Sequence, residues 1–235
     1  MLNKKGGIRT NFADTSDYEQ RIRRFVPYYD EMLVSLLTCL PKTRGKRKIL
    51  ELGCGTGNLT QRILESQDLR CLIAIDLVEE MIKTCRTRFQ NEQPVLELIC
   101  ADLTSFFRPG AFDFALSSLA FHYPESCEQK VSSLRCVFRS LKPGGIFSFS
   151  CMLSGETEEF TTRAWRAWED DVAENGVTPS ELEAWYRTNH LSDHPVPSSL
   201  WLRWLNKIGF RGAELAWRRT IFGTFWAKKS ENPRG

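Results

Sequence analysis

The sequence predicts an α/β fold built on an open, mainly parallel sheet, and three observations carry that expectation. Short Ile-, Leu- and Phe-rich runs, apolar along most of their length, alternate with segments of helical periodicity. The first of these runs leads straight into a glycine-rich turn, and the second and third are closed by aspartates. The rhythm breaks only after Cys151. At 235 residues, 42% hydrophobic and with a mean hydropathy of −0.34, the chain can bury a sizeable core.

The elements follow in order. Residues 17–40 read as helix, with Tyr18, Ile22, Phe25, Met32, Leu33, Leu36 and Leu37 at helical spacing and Pro27 as a kink or boundary. A strand over 48–52 enters the Gly53–Asn58 turn, and a helix runs from Asn58 to Ser66. Strand 71–76 and helix 78–89 come next, then strand 95–100, strand 112–117 and helix 125–141. A turn at Lys142–Gly145 precedes strand 146–151. Two charged, Trp-containing helices fill 156–190, and Pro197 opens a helix to Ile208. Strands 213–217 and 221–227, turning near Arg218 and Arg219, form a hairpin that adds one antiparallel strand. With no repeat or linker, one domain is expected: helical cap 1–44, core 45–152, helical insertion or lid 153–209 and C-terminal hairpin 210–235.

Composition excludes several classes. A net charge of +3, from 32 basic and 29 acidic residues, is too balanced for bulk nucleic-acid binding. The cluster Lys42, Arg44, Lys46, Arg47 and Lys48 reads as a solvated loop. None of the eight cysteines forms a C-x-x-C pair, so buried reduced thiols are expected rather than disulfides or a metal site. No apolar run nears the ~20 residues needed to cross a bilayer. The N-terminus carries no apolar segment behind its lysines, so a cytoplasmic address is expected.

Glu51-Leu-Gly-Cys-Gly-Thr-Gly-Asn58 is the informative segment. Glycines at 53, 55 and 57 let the chain turn sharply and let a ligand approach without meeting a Cβ. A dinucleotide loop would need glycine at position 58, which is Asn58, and a phosphate-binding Gly-Lys-Ser/Thr is absent. Asp76 can accept from both hydroxyls of a ribose. Asp102 can accept from an adenine amino group, with Leu77, Met81 and Leu103 as apolar walls.

Over about residues 45–152 the chain resembles the class I S-adenosylmethionine (SAM)-dependent methyltransferases. The resemblance rests on Glu-x-Gly-x-Gly-x-Gly, on Phe112–Tyr123 and on Leu141-Lys-Pro-Gly-Gly-Ile. It implies a Rossmann-like, seven-stranded sheet with the last strand antiparallel, SAM as cofactor, and Glu51, Gly53, Cys54, Gly55, Gly57 and Ser117 around it. A narrower resemblance is to carboxy-S-adenosyl-L-methionine synthase, which makes a donor used on tRNA wobble uridine. It rests on Arg23–Tyr29, Ser180–Arg187 and Phe222-Gly-Thr224. It implies a cofactor contact at Tyr29 and a carboxylate-binding arginine near Arg187. Two positions depart from that pattern: Ser117 stands in place of Asn, and the loop is Gly-Cys-Gly in place of Gly-Cys-Ser.

Methyl transfer draws much of its rate from positioning, and a base helps only an acceptor with a proton to lose. His122, after the fourth strand, is the candidate base, or else an aromatic wall beside Phe121 and Tyr123. Tyr123 and Arg187 are the candidate acceptor contacts. His190 and His194 read as loop residues, and Trp165, Trp168, Trp185, Trp201 and Trp204 as core. A small-molecule acceptor is expected in preference to RNA. Binding of SAM without turnover would mark the alternative, a non-catalytic interaction protein.

Overall fold

The computed structural model describes residues 18–38, 40–41, 45–92, 95–189 and 193–231. It opens with helices α1 (Tyr18–Phe25) and α2 (Tyr29–Thr38). The expected 17–40 helix is therefore broken. Pro27 disfavours helical backbone at Val26, and Tyr28 adopts φ 63, which no right-handed helix continues. Cys39, Lys42 and Arg44 lie outside the described residues.

Next come β1 (Arg47–Leu52), α3 (Asn58–Ser66), β2 (Leu69–Asp76), α4 (Glu79–Arg88), β3 (Leu96–Cys100), β4 (Phe112–Ser118), α5 (Cys127–Ser140) and β5 (Leu141–Ser154). After them run α6 (Glu158–Glu174), α7 (Pro179–Asn189), the two-residue β6 (Val196–Pro197), α8 (Ser198–Ile208), β7 (Phe210–Arg219) and β8 (Phe222–Lys229). The sheet order is β3-β2-β1-β4-β5-β8-β7, with β6 beside the end of β5. Pairs from β3 through β5 are parallel, and β8 runs antiparallel to both β5 and β7. This is the predicted seven-stranded Rossmann-like sheet. Strand order reverses between β1 and β4, and the crevice at their carboxyl ends is where such sheets bind ligands.

Three boundaries differ from expectation. Lys142–Gly145 is not a free turn but the start of β5. Pro143 has no N–H and Gly144 sits at φ 76, so the β4–β5 register slips between Phe112 and Phe114 and the strand carries on. The final hairpin turns at Thr220, φ 43, and Ile221 rather than at Arg218-Arg219, and both its strands are longer than expected. Cys100 and Cys127 are exposed, because one ends β3 and the other begins α5; Cys54, Cys85, Cys136 and Cys151 are buried.

Both sheet faces are covered. Leu33, Leu36, Ile49, Ile63, Leu72 and Phe114 pack on one side, and Leu50, Ile73, Phe147, Phe149, Trp201 and Phe225 on the other. Consecutive residues such as Ile49 and Leu50 split between the faces, as a strand's two-residue period requires. The Trp-rich insertion is core, as expected: Trp168 and Trp201 are fully buried. It is tied to α1 from several sides. Trp168 Nε1 donates to the Phe25 carbonyl at 2.9 Å, Trp185 stacks on Phe25 with centroids 6.0 Å apart, and Arg24 holds Glu181 in a fork at 2.7 and 2.9 Å.

Candidate cofactor and acceptor site

The glycine turn forms a flat platform at the end of β1. Gly53, Gly55 and Gly57 all take left-handed backbone, at φ 73, 54 and 95. The Gly53 and Cys54 N–H groups donate to the Ile75 carbonyl at 2.8 and 3.0 Å, locking the turn against β2. Asp76 closes that strand and accepts from Gly55 N–H and from Val78 N–H, each at 2.9 Å. Burial pushes its carboxyl above the usual range, and these amide bonds counter the push. Each Asp76 oxygen still has a second lone pair, enough for a pair of ribose hydroxyls.

Beneath the platform, Glu51 is fully buried and accepts from Thr60 Oγ1 at 2.7 Å, while its Oε1 has no hydrogen-bond partner. Desolvation raises its carboxyl well above the usual range. Glu51 lines no cavity; its placement braces the turn from below. Cys54 lines a small recess with Tyr29, Thr56 and Asn58, and Asn58 Nδ2 donates to Tyr29 Oη at 3.4 Å. Ser117 is not in the cleft either: its Oγ donates to the Leu52 carbonyl at 2.7 Å, inside the sheet. Strand alternation presents its neighbour, Ser118, to the cleft instead.

Above the platform lies a cavity of about 280 Å³, lined by Gly53, Gly55, Asp76, Leu77, Met81, Asp102 and Leu103. Asp102 is oriented by Thr104, whose N–H and Oγ donate to its Oδ1 at 2.8 and 2.7 Å. Tyr18, Leu119 and Tyr123 line this cavity and also a second one of about 710 Å³ beneath α1 and α7. Leu119, just past β4, holds φ 54, a costly backbone for a non-glycine residue and of the kind that clusters at functional sites.

The second cavity holds His122, Asp193, Arg21, Arg24, Glu181, Trp185 and Phe222. His122 Nδ1 accepts the Met152 N–H at 3.3 Å, so its proton sits on Nε2, which faces Asp193 Oδ1 at 3.6 Å. Desolvation, with Lys130 nearby, drives the imidazole down to about 3. Lys130, itself buried, donates to the His122 carbonyl at 2.9 Å and to the Pro124 carbonyl; burial pushes it down to about 8. Burial likewise pushes Asp193 up to about 7. In this tautomer the histidine offers a proton and its lone pair is already engaged.

Arg187 lines neither cavity. Its side chain is 71% exposed and pairs with Glu183 one helical turn away, at 2.7 Å. His194 donates its N–H to the His122 carbonyl at 3.1 Å, and His190 lies outside the described residues. Tyr18, Arg21 and Leu119 were not read from the sequence as site residues. A periodic helix does not show which long-range partner it will cover, and the left-handed leucine has no sequence signature.

The group that such a site would hold must pass close to Gly55. A Cβ built there finds nothing nearer than the Tyr18 ring at 4.0 Å, whereas one at Gly53 meets Ala120 at 2.4 Å and one at Gly57 meets Phe89 at 2.3 Å. The open side of the turn therefore faces, at Gly55, the cavity that Asp76 and Asp102 also line.

Comparison with known proteins gives the family. Residues 49–145 match the family model of a methyltransferase domain. The carboxy-S-adenosyl-L-methionine synthase of Campylobacter fetus is 28% identical over 222 residues, 91% of each chain. The enzyme of that name from Shewanella loihica is 30% identical over 191 residues, 78% of this chain and 76% of its own. Among solved structures, N-methyltransferase NodS from Bradyrhizobium japonicum, in complex with S-adenosyl-L-homocysteine, superposes with a TM-score of 0.64 at 15% identity, covering 94% of this chain and 96% of that one. The chain belongs to the class I SAM-dependent methyltransferases, and SAM is its cofactor. Over nearly all its length it is similar to the carboxy-SAM synthases. Among the described residues no helix is long and apolar enough to cross a membrane.

Proposed function

We propose that this methyltransferase acts on a small molecule held in the second cavity. The observation that carries the reading is the adjacency of the two cavities, which share Tyr18, Leu119 and Tyr123 as lining, with the second beneath α1 and α7. Gly53 and Gly55 would lie along the methionine moiety, Asp76 would accept from the ribose, and Asp102, Leu77, Met81 and Leu103 would enclose the adenine. Bound there, SAM supplies an activated methyl group on a sulfonium. The protein's own part is to align the acceptor behind that methyl and to exclude water, with Tyr123 at the junction and His122 as a buried wall of the acceptor side. A recess of about 710 Å³ walled in part by Phe25, Trp185 and Phe222 suits a metabolite better than a polymer.

A direct test incubates the purified protein with radiolabelled SAM and either a fractionated metabolite extract or bulk tRNA. Label is expected in the small-molecule fraction; label confined to tRNA would sink the proposal. One observation favours a second reading: similarity to carboxy-SAM synthases spans 91% of each chain. Against it, the arginine matched to that enzyme's carboxylate contact points into solvent. Mass spectrometry of ligand released on denaturation separates the two. SAM or S-adenosylhomocysteine supports the first reading, and a carboxylated donor the second.

A further inference from the structure

The acceptor cavity contains one side chain built to receive a proton, and it is not the histidine. Asp193 lines the cavity with a side chain only 5% exposed, and its Oδ1 faces His122 Nε2 at 3.6 Å, beyond hydrogen-bond length. The imidazole is fixed by the Met152 N–H on its other nitrogen and turns its N–H edge to the carboxylate. With its Nδ1 engaged, His122 cannot compete with Asp193 for a proton. The rest of the surroundings are known: Lys130 from α5, Tyr123 beside His122, His194 next in the chain, and across the cavity Arg21 and Arg24 from α1 with Glu181 from α7. Arg24 and Glu181 neutralise each other in their fork. Lys130 is committed to two carbonyls, so it attracts the Asp193 carboxylate without reaching it. Phe25, Tyr123, Trp185 and Phe222 give the wall its aromatic part, and Gln20 and Thr188 add uncharged polar groups.

We propose that Asp193 accepts the proton lost by the acceptor, and that the acceptor is a hydroxyl or amine carried on an apolar or aromatic body. This rests on the acceptor cavity assigned under the proposed function. The step balances. The acceptor's lone pair forms the new bond to carbon, the carbon–sulfur pair leaves with sulfur, and the O–H or N–H proton passes to the Asp193 carboxylate, which later returns it to water. A thioether or tertiary amine acceptor would give the carboxylate nothing to do. His122 is a buried wall of the cavity in this scheme and takes no proton. The medium around Asp193 suits the task, since a carboxylate that titrates near neutral pH is a far better proton acceptor than a solvated one.

The test has an arm without cofactor and an arm with it. In carbon-13 NMR of aspartate-labelled protein, a carboxyl titrating close to pH 7 is expected, and it should vanish in Asp193→Asn. In the second arm a panel of phenols, alcohols and aromatic amines, with a thioether and a tertiary amine as aprotic probes, is incubated with labelled SAM. Turnover is expected on protic probes only, rising with pH through about 7. Asp193→Asn should lose at least ~100-fold in kcat and lose that pH dependence, with SAM affinity by calorimetry unchanged. Asp193→Glu should recover part of the rate. The proposal is overturned by the absence of the titrating carboxyl, by turnover of Asp193→Asn within about threefold of wild type, by turnover on aprotic probes, or by a panel untouched although SAM binds. Loss of SAM binding in the wild-type protein would instead remove the proposed function beneath it.

Discussion

The three loop glycines share a motif but not a reason, and their alanine variants should separate. At Gly55 the φ of 54 costs an L-residue roughly 1–2 kcal/mol, and the added methyl meets only the Tyr18 ring at 4.0 Å. At Gly53 the methyl would sit 2.4 Å from Ala120 Cβ, a rigid neighbour, and at Gly57 it would sit 2.3 Å from the Phe89 ring and 3.0 Å from Cys85 Sγ. Overpacking of that sort costs about 1–3 kcal/mol beyond the backbone term. Gly53→Ala and Gly57→Ala should therefore lose roughly 2–5 kcal/mol, a large part of a typical domain's stability. Gly55→Ala should lose about 1–2 kcal/mol and keep a cooperative transition. Its damage should appear in ligand binding, because its methyl projects where the cofactor must lie. Urea unfolding followed by tryptophan fluorescence gives the stabilities, and SAM calorimetry on the folded variants gives the affinities. Equal stability losses at 53, 55 and 57, or normal SAM binding by Gly55→Ala, would refute the argument.

Other substitutions test the remaining placements. Asp76→Ala should weaken SAM binding by about 1–3 kcal/mol, read by calorimetry, since it leaves ribose hydroxyls without acceptors. Arg187→Ala should change neither SAM affinity nor, beyond about 0.5 kcal/mol, stability, because its one ion pair is solvent-exposed. The pH dependence of stability has two opposed contributors. His122, depressed to about 3, is neutral when folded, so its contribution is complete above the unfolded value of about 6.5 and is lost as pH falls toward 3. Asp193, raised to about 7, holds its proton more tightly when folded, so it stabilises as pH falls and loses that contribution as pH rises toward 7. Between pH 6 and 4.5, His122→Gln should flatten the acid loss and Asp193→Asn should steepen it, each by up to about 1 kcal/mol per pH unit in urea titrations.

What the sequence disclosed, and what it withheld, follows the range of the interactions involved. The glycine turn, Asp76 and Asp102 were legible because strand ends and turns are local, and local chemistry dictates them. Ser117 came from the family resemblance, and the two-residue alternation of the strand turns its hydroxyl to the Leu52 carbonyl and presents Ser118 to the cleft. Arg187 and Asp193 were illegible for a different reason. One sits on a helix whose outward face only packing could identify. The other sits in a segment that read as plain loop, yet folds back against His122. The break at Tyr28 was half visible, through Pro27; the left-handed backbone beside it was not.

Two contacts have a bearing on how the molecule comes into being. Ser35 on α2 is bonded to Thr224 on β8 at 2.7 Å, and Trp217 Nε1 donates to Glu31 at 2.7 Å, across nearly the whole described chain. The helices made first thus dock on strands made last. Strands β1 to β4 pair among themselves without that help, so the nucleoside platform can assemble while the ribosome is still adding residues. Phe222, a wall of the second cavity, arrives only with β8. A growing chain would thus lay down its glycine platform well before the second cavity is walled. On the proposed function, it would for that interval be able to hold SAM with nothing to methylate.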